Sequence, residues 1–359
     1  MTRLLRPAQC AAGSASGDLS PLRPVAAPTT RPSRADLVEP QSSRQGAAEL
    51  IERSVAAGVL PEGTRRRLTA HDESRTNVVH RLAVDGVPTA YAKQGGWAAH
   101  ADSDDAVGCE RRALSILAAS GLVPQLIGPA ACDVVWTRAL QPCTGLTDVI
   151  RCGRTAELLL ALRAWGTALA ALHRWPAGIG DPPAAPKPWI LEPSKAPEHL
   201  RLASSHRGAG NRVAVVLAEL QRNGAVRDAL ATVRAGWSRT CWTHGDATTS
   251  NGVARAVDRQ HWRVWLLDLE SAGLGDPSWD LATAYDSLLV HRANLGRTMR
   301  PAVRALLDGY RCGDGPGRLS RELLIARAAL TCVQLAASSD RQLSGRAGTA
   351  GRPAHRVPA

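Results

Sequence analysis

The sequence predicts an α+β protein of two lobes, a small strand-rich N-terminal lobe with one helix and a larger, mainly helical C-terminal lobe. Three observations carry this expectation. Alternating apolar residues on either side of an Asp-Gly pair mark a hairpin over residues 77–94. Beyond residue 154 the apolar period becomes helical, with Leu158, Leu162, Trp165, Leu169 and Leu172 recurring at steps of four and three. At 359 residues and 44% apolar content, the chain has enough material to bury a real core.

Residues 1–45 are rich in Pro, Ser, Ala and Arg and lack periodicity, which predicts a disordered extension; residues 341–359 read the same way, as a basic tail. The folded body is then 46–340, with the lobes meeting near residue 140. It opens on the helix candidate "AAELIERSVAAGVL" (47–60), closed by Pro61. In "NVVHRLAVDG" (77–86), Val78, His80, Leu82 and Val84 share a face, and Asp85-Gly86 turns the chain into "VPTAYAKQ" (87–94), with Lys93 near its end. A helix at about 106–119 carries Glu110 in its first turns and Leu114 and Leu117 on one side. Short strands fit 125–128 and 133–140, and "QPCTG" (141–145) is a connector. Thr155 is expected to cap the long helix that follows. A Pro-rich loop (181–197) and a helix over 211–234 lead to the stretch "CWTHGDATTSN" (241–251).

The formal charge of +12 is unevenly spread, with six Arg against three acids in residues 1–45 and four Arg with no acid in residues 341–359. The body lacks any long Lys- or Arg-rich run and any zinc-finger or RNP-type signature, so a nucleic-acid partner is not expected. Eight cysteines without a C-x-x-C pair read as free thiols of a reducing compartment, and no apolar run approaches the eighteen residues of a membrane span. The N-terminus has no apolar signal region, so the expected location is cytoplasmic, with no membrane partner. Oligomeric state is not encoded in any pattern found.

The chemistry-bearing residues cluster between 241 and 289. "GVARAV" (252–257) and "WRVWLLD" (262–268) read as a hairpin joined by "DRQH"; a turn centred between 259 and 260 puts Asn251 opposite Asp268. An amide oxygen and a carboxylate brought together are hard ligands suited to Mg²⁺. Asp246, on the same loop, would face that site and could orient or accept the proton of an attacking hydroxyl. The plainer reading, in which Asp246 and Asn251 cap a tight turn, stands beside it. Asp276-Pro277 is a natural N-cap and first-turn pair, opening a helix that buries Leu281, Ala284, Tyr285, Leu288 and Leu289. Asp280, within its first turn, reads as a structural acid tethering the loop backbone.

His244-Gly245-Asp246-x-x-x-x-Asn251, followed by Asp268-x-Glu270-x-x-x-x-Gly275-Asp276-Pro277-x-x-Asp280-Leu281-Ala282, resembles the signature of the aminoglycoside phosphotransferase family, within the protein-kinase-like fold. The resemblance covers about 65–335. It implies a nucleotide-binding N-lobe (46–140) and a catalytic, acceptor-binding C-lobe (141–340). By the same resemblance Asp246 is the catalytic base, Asn251 and Asp268 hold Mg²⁺, and Lys93, paired with Glu110, anchors the phosphates of ATP or GTP. Lys93 is one of only three lysines, the other two lying in the Pro-rich loop, which favours this over a solvated surface role. His244 is expected to pack and hydrogen-bond the loop, and Glu270 to touch a second metal ion or to support the ligands from outside.

Two departures from the family pattern matter. The loop Ala247-Thr248-Thr249-Ser250 is hydroxyl-rich. The turn "HDESRTN" (71–77), expected to cover the phosphates, has no glycine, leaving Ser74, Arg75 and Thr76 as side-chain donors. The function implied is a Mg²⁺-dependent kinase moving the γ-phosphoryl group to a hydroxyl of a small molecule. Two other readings are a kinase for Ser/Thr hydroxyls of a natural-product precursor peptide and a non-catalytic, kinase-like ligand-binding module. A metal-dependent phosphohydrolase would leave Lys93 and Glu110 without a task. Arg outnumbers acid in residues 278–340, which would help line the acceptor pocket, and this tilts the reading away from polycationic aminoglycosides.

Overall fold

A computed structural model describes residues 41–74, 78–94, 106–129, 133–195 and 212–350. The chain divides into two units, Met1–Arg44 and Gln45–Ala359, and apart from the start of the first helix everything below lies in the second.

Helix α1 (Gln41–Ala56) lays Leu50 against the sheet made by β1 (Leu68–Asp72), β2 (Val78–Val84) and β3 (Val87–Gln94), where Leu50 and Leu60 meet Leu68, Leu82, Ala90 and Ala92. Val84 pairs with Val87 across Asp85 and Gly86, which stand at φ 51° and 78°, as a two-residue hairpin turn requires. Alternation along β3 turns Ala90 and Ala92 towards α1, so Lys93 points to the opposite face. There lies α2 (Ala106–Leu117), whose buried stripe is Val107, Glu110, Ala113, Leu114 and Leu117. An acid on a buried stripe needs a partner, and Lys93 is the one within reach. Strands β4 (Leu126–Ile127) and β5 (Val134–Arg138) complete an antiparallel sheet of order β1-β2-β3-β5-β4.

The C-terminal lobe begins with β6 (Thr144–Gly145), α3 (Leu146–Cys152) and α4 (Thr155–His173). The predicted stripe of α4 is buried throughout and forms the lobe's core with Trp242, Leu266, Leu281, Leu288 and Leu306. Thr155 is the first helical residue instead of the cap; Arg154 holds the cap position without a side-chain bond. By length and composition, Thr155–His173 and Arg321–Ser339 are each apolar enough to cross a membrane, which the sequence reading did not anticipate; α4 spends that apolarity on the core.

The helix expected over 211–234 is two, α5 (Arg212–Arg222) and α6 (Gly224–Ala235). Asn223 leaves the helical region, and its side chain accepts the Val226 N–H at 3.3 Å, restarting the helix as an N-cap. Strand β7 (Cys241–Thr243) leads to the loop of interest, and β8 (Gly252–Ala256) and β9 (Trp262–Leu266) follow as a hairpin, with β8 lying between β6 and β9. Strand β10 (Gly273–Gly275) pairs with β7. The chain continues through α7 (Pro277–Val290), α8 (Arg292–Leu295), α9 (Met299–Cys312) and α10 (Arg321–Ala350).

Three further expectations are corrected. The hairpin pairs Gly252 with Leu266 and Ala256 with Trp262, one residue away from the expected register, so Asp268 does not lie opposite Asn251. The Asp258 carboxylate accepts the N–H groups of Gln260 and His261, both at 2.8 Å, and Val257 N–H bonds His261 O; this tightens the turn so that it centres on Arg259. Leu267 takes the place opposite Asn251, donating its N–H to the Asn251 carbonyl at 2.9 Å. On α7, Leu281, Ala284 and Leu288 are buried, but Tyr285 is half-buried and Leu289 exposed, because the helix turns its inner face to the loop before β8. Residues 41–45 and 341–350, assigned to unstructured tails, are helical. A formed helix extends at low cost once nucleated, even through indifferent sequence.

Candidate active site

Buried Trp242 and Thr243 of β7 deliver the chain into a loop whose first residue, His244, is fully buried. His244 Nε2 lies 2.8 Å from the Leu267 carbonyl, and its Nδ1 accepts the Asp246 N–H at 3.3 Å. One nitrogen must donate and the other accept, so this network assigns a neutral ring protonated at Nε2. Gly245 stands at φ +81°, and a Cβ there would run into the Ser271 backbone, so the turn that presents Asp246 admits only glycine without strain. Asn251 Nδ2 donates to both the backbone carbonyl and the Oδ2 of Asp246, each at 2.9 Å. The five-residue spacing therefore closes a turn that pins the carboxylate.

The hydroxyl-rich segment between them has its own partners. Thr249 N–H donates to Ser287 Oγ at 2.8 Å, and Thr249 Oγ1 lies 3.1 Å from His291 Nε2 and 3.2 Å from Thr147 Oγ1. Burial lowers the His291 pKa, and nearby Arg151 acts in the same direction. A neutral ring suits that setting.

Asp280 supports the loop from behind. It is fully buried in the first turn of α7 and accepts the N–H groups of His244 at 2.5 Å and Gly245 at 2.9 Å. His173 Nε2 lies 3.1 Å from the same carboxylate, His173 Nδ1 lies 2.6 Å from the Tyr310 hydroxyl, and that hydroxyl accepts the Gly317 N–H at 2.8 Å. Burial raises the Tyr310 pKa well above the usual phenol, so the hydroxyl keeps its proton for His173. Close backbone approach positions this relay: a Cβ on Gly166 of α4 or Gly309 of α9 would meet the opposing helix's backbone. Asp276 caps α7, accepting the Ser278 N–H at 2.9 Å.

In front of the loop lies a charge cluster. Lys93 Nζ is 2.7 Å from Glu110 Oε2 and 2.9 Å from Glu270 Oε2, and it also pairs with Asp268. Burial works against the Lys93 charge, but Glu110, Asp268 and Glu270 outweigh it and hold the pKa well above that of an ordinary lysine. Burial also raises the Glu110 pKa, against the pull of Lys93. Asp268 stands in the left-handed region at φ 61°, ψ 62°, uncommon for a residue with a side chain. This kink brings its carboxylate to Lys93 despite the shifted register. Three carboxylates facing one ammonium leave surplus negative charge on hard oxygen donors, a set that fits Mg²⁺. Among the described residues no group of three or more His, Cys, Asp or Glu side chains forms a ready-made cage. Mg²⁺ characteristically takes only one or two protein carboxylates and completes its shell with water and phosphate.

The structure thus joins Asp246 to Asn251, and Lys93 to Glu110, Asp268 and Glu270. Ser74 closes its own turn, accepting the Val79 N–H at 3.0 Å, while Arg75 and Thr76 lie outside the described residues. His173 and Tyr310 escaped the sequence reading. The one available signal was a histidine directly after Leu172, at the end of an otherwise apolar stripe.

Residues 30–321 match the family model described as a phosphotransferase enzyme family. No curated protein matches the chain in sequence. Among solved structures, the chain is similar to aminoglycoside phosphotransferase APH(3'')-Id from Streptomyces rimosus, with 19% identity and a TM-score of 0.53 over 79% of this chain and 98% of that one. Choline kinase LicA from Streptococcus pneumoniae gives 14% identity and 0.53, over 83% and 91%. A choline/ethanolamine kinase family protein from Mesorhizobium loti gives 19% and 0.51, over 82% and 86%. At these identities the likeness is one of fold, the bilobal protein-kinase-like arrangement described above.

Proposed function

Since the chain belongs to the phosphotransferase enzyme family and is a phosphotransferase with an alcohol group as acceptor, we propose that it moves the γ-phosphoryl group of ATP, or of GTP, to a hydroxyl of a small molecule. Asp246 is the base in this reading. Held by Asn251 and by the turn that Gly245 makes possible, its carboxylate takes the proton as the acceptor oxygen bonds to the γ-phosphorus. The bridging P–O bond breaks in the same displacement, and ADP or GDP leaves with that electron pair.

Lys93 changes partners on nucleotide binding, passing from Asp268 and Glu270 to the α- and β-phosphates while buried Glu110 keeps hold of it. Mg²⁺, for which Asn251 and Asp268 would supply oxygens, would neutralise the phosphate charge. Glu270 supports that site from its rim. Ser74, with Arg75 and Thr76 outside the described residues, would offer donors to the phosphates, with residues 46–140 forming the nucleotide side and 141–340 the acceptor side. The observation that carries the reading is Lys93 itself, a buried lysine that ties a strand of one lobe to a carboxylate 175 residues away beside the loop of Asp246.

The test is thermal unfolding of the full chain with Mg-ATP, Mg-GTP, Mg²⁺ alone and ATP alone, repeated on Asp268→Asn. A nucleotide at about 100 times its dissociation constant should add about 2.7 kcal/mol of stability, only with Mg²⁺ and only in the wild type. No stabilisation by either nucleotide would favour the non-catalytic binding module instead.

A further inference from the structure

The inner face of α7 tracks the loop of Asp246. Asp280 holds the backbone of residues 244 and 245, and Ser287, two turns on, holds Thr249. Thr283 lies between them along the same helical face. It is 1% exposed, and its hydroxyl is buried with no hydrogen-bond partner among the described residues. One turn further, Asp286 accepts a hydrogen bond from Thr331 and stands 3.6 Å from Arg327 Nε of α10.

Arg327 is the unusual group. It is 5% exposed, its Nε has no hydrogen-bond partner among the described residues, and its guanidinium carbon lies 5.9 Å from the Trp279 ring. An ion pair at 3.6 Å is longer than a hydrogen bond, so the buried Nε–H is left without an acceptor among the described residues. Burial lowers its pKa, and the carboxylates of Asp286 and then Asp246 oppose that, so the cation and the acid of the loop share one electrostatic neighbourhood. A clip whose only work was to join α7 and α10 would not leave a guanidinium so poorly paired, because an imperfect buried pair costs more than apolar packing.

We propose that Arg327, with the Thr283 hydroxyl, is the anion-recognising end of the acceptor pocket, and that the acceptor is an alcohol bearing a carboxylate. The inference rests on the phosphotransferase reading and adds the chemical class of its substrate. A planar fork matches a carboxylate's two oxygens. Two acids nearby favour a monoanion over a doubly charged phosphate ester. A polycation would have to dock against a buried guanidinium.

Three diols that differ in one group provide the probe: glycerate, glyceramide and 3-aminopropane-1,2-diol. Binding to the full chain with Mg-ADP is read by saturation-transfer NMR, and turnover with Mg-ATP by ADP release. Glycerate should bind at least about 10-fold better than the amide or the amine. Arg327→Met should lower glycerate kcat/KM by about 30-fold, mostly through KM, and leave nucleotide stabilisation unchanged. Arg327→Lys, which keeps the charge and loses the fork, should fall between, and it serves if the Met variant does not fold. Equal binding of the three diols, including none, overturns the proposal, as does a glycerate preference that survives both variants. Asp246→Asn separates the two claims: glycerate binding retained with turnover intact sinks the base and spares Arg327.

Discussion

The loop that carries Asp246 has two environments. Behind it, Asp280 accepts two backbone N–H groups and faces His173, which in turn meets Tyr310, each within 3.1 Å. In front of it, one ammonium, Lys93, is shared by three carboxylates, and Asp268 sits in a left-handed conformation. The inner side matches donors to acceptors around a single carboxylate and needs no ligand to be complete. The outer side carries negative charge in excess, which a nucleotide with its cation would rearrange. On the proposed reading, a rigid back and an exchangeable front would let one short loop hold a reacting group still while its partners come and go.

The largest expected effect breaks the inner side. Asp280→Ala leaves the His244 and Gly245 N–H groups and His173 Nε2 without their acceptor in a fully buried place, which should cost about 3–5 kcal/mol in urea unfolding. A loss below about 1 kcal/mol would mean that the relay holds nothing.

A smaller, pH-dependent effect sharpens the outer side. Lys93, with its pKa raised above the usual 10.5, stays charged in the fold, so the titration of its own ammonium removes stability only from about pH 10.5 up through its folded pKa. Glu110, raised from 4.5 by burial, holds its proton more tightly when folded, so its contribution falls as pH rises from about 4.5 through the folded pKa. Lys93→Met removes the counter-charge and should steepen that fall. The variant's deficit should be below about 1 kcal/mol at pH 4.5 and grow to about 2–3 kcal/mol at pH 8. A deficit that does not change with pH would contradict the charge-surplus account of the front.

The same contrast explains what was legible in the sequence. Asp246, Asn251, Asp268 and Asp280 stand in a spaced motif, Lys93 is a rare lysine near the end of a legible strand, and the Asp85-Gly86 turn and the α4 stripe follow from local periodicity. The register of β8 and β9 was misjudged because Asp258 shapes the turn through its own side chain, which alternation of apolar residues does not reveal. The break at Asn223 is also a side-chain event, an amide capping a new helix in mid-pattern. His173, Tyr310 and Arg327 were invisible for a different reason. Each acquires its role from a partner more than 40 residues away, brought close by helix packing.

The central claim is that Asp246 acts on the acceptor and not on the nucleotide, and Asp246→Asn tests it most directly. Turnover should fall by about 10²–10⁴-fold, while the stabilisation by Mg-ATP stays within about threefold in apparent affinity. Loss of both in equal measure would contradict the assignment and make Asp246 part of the nucleotide site.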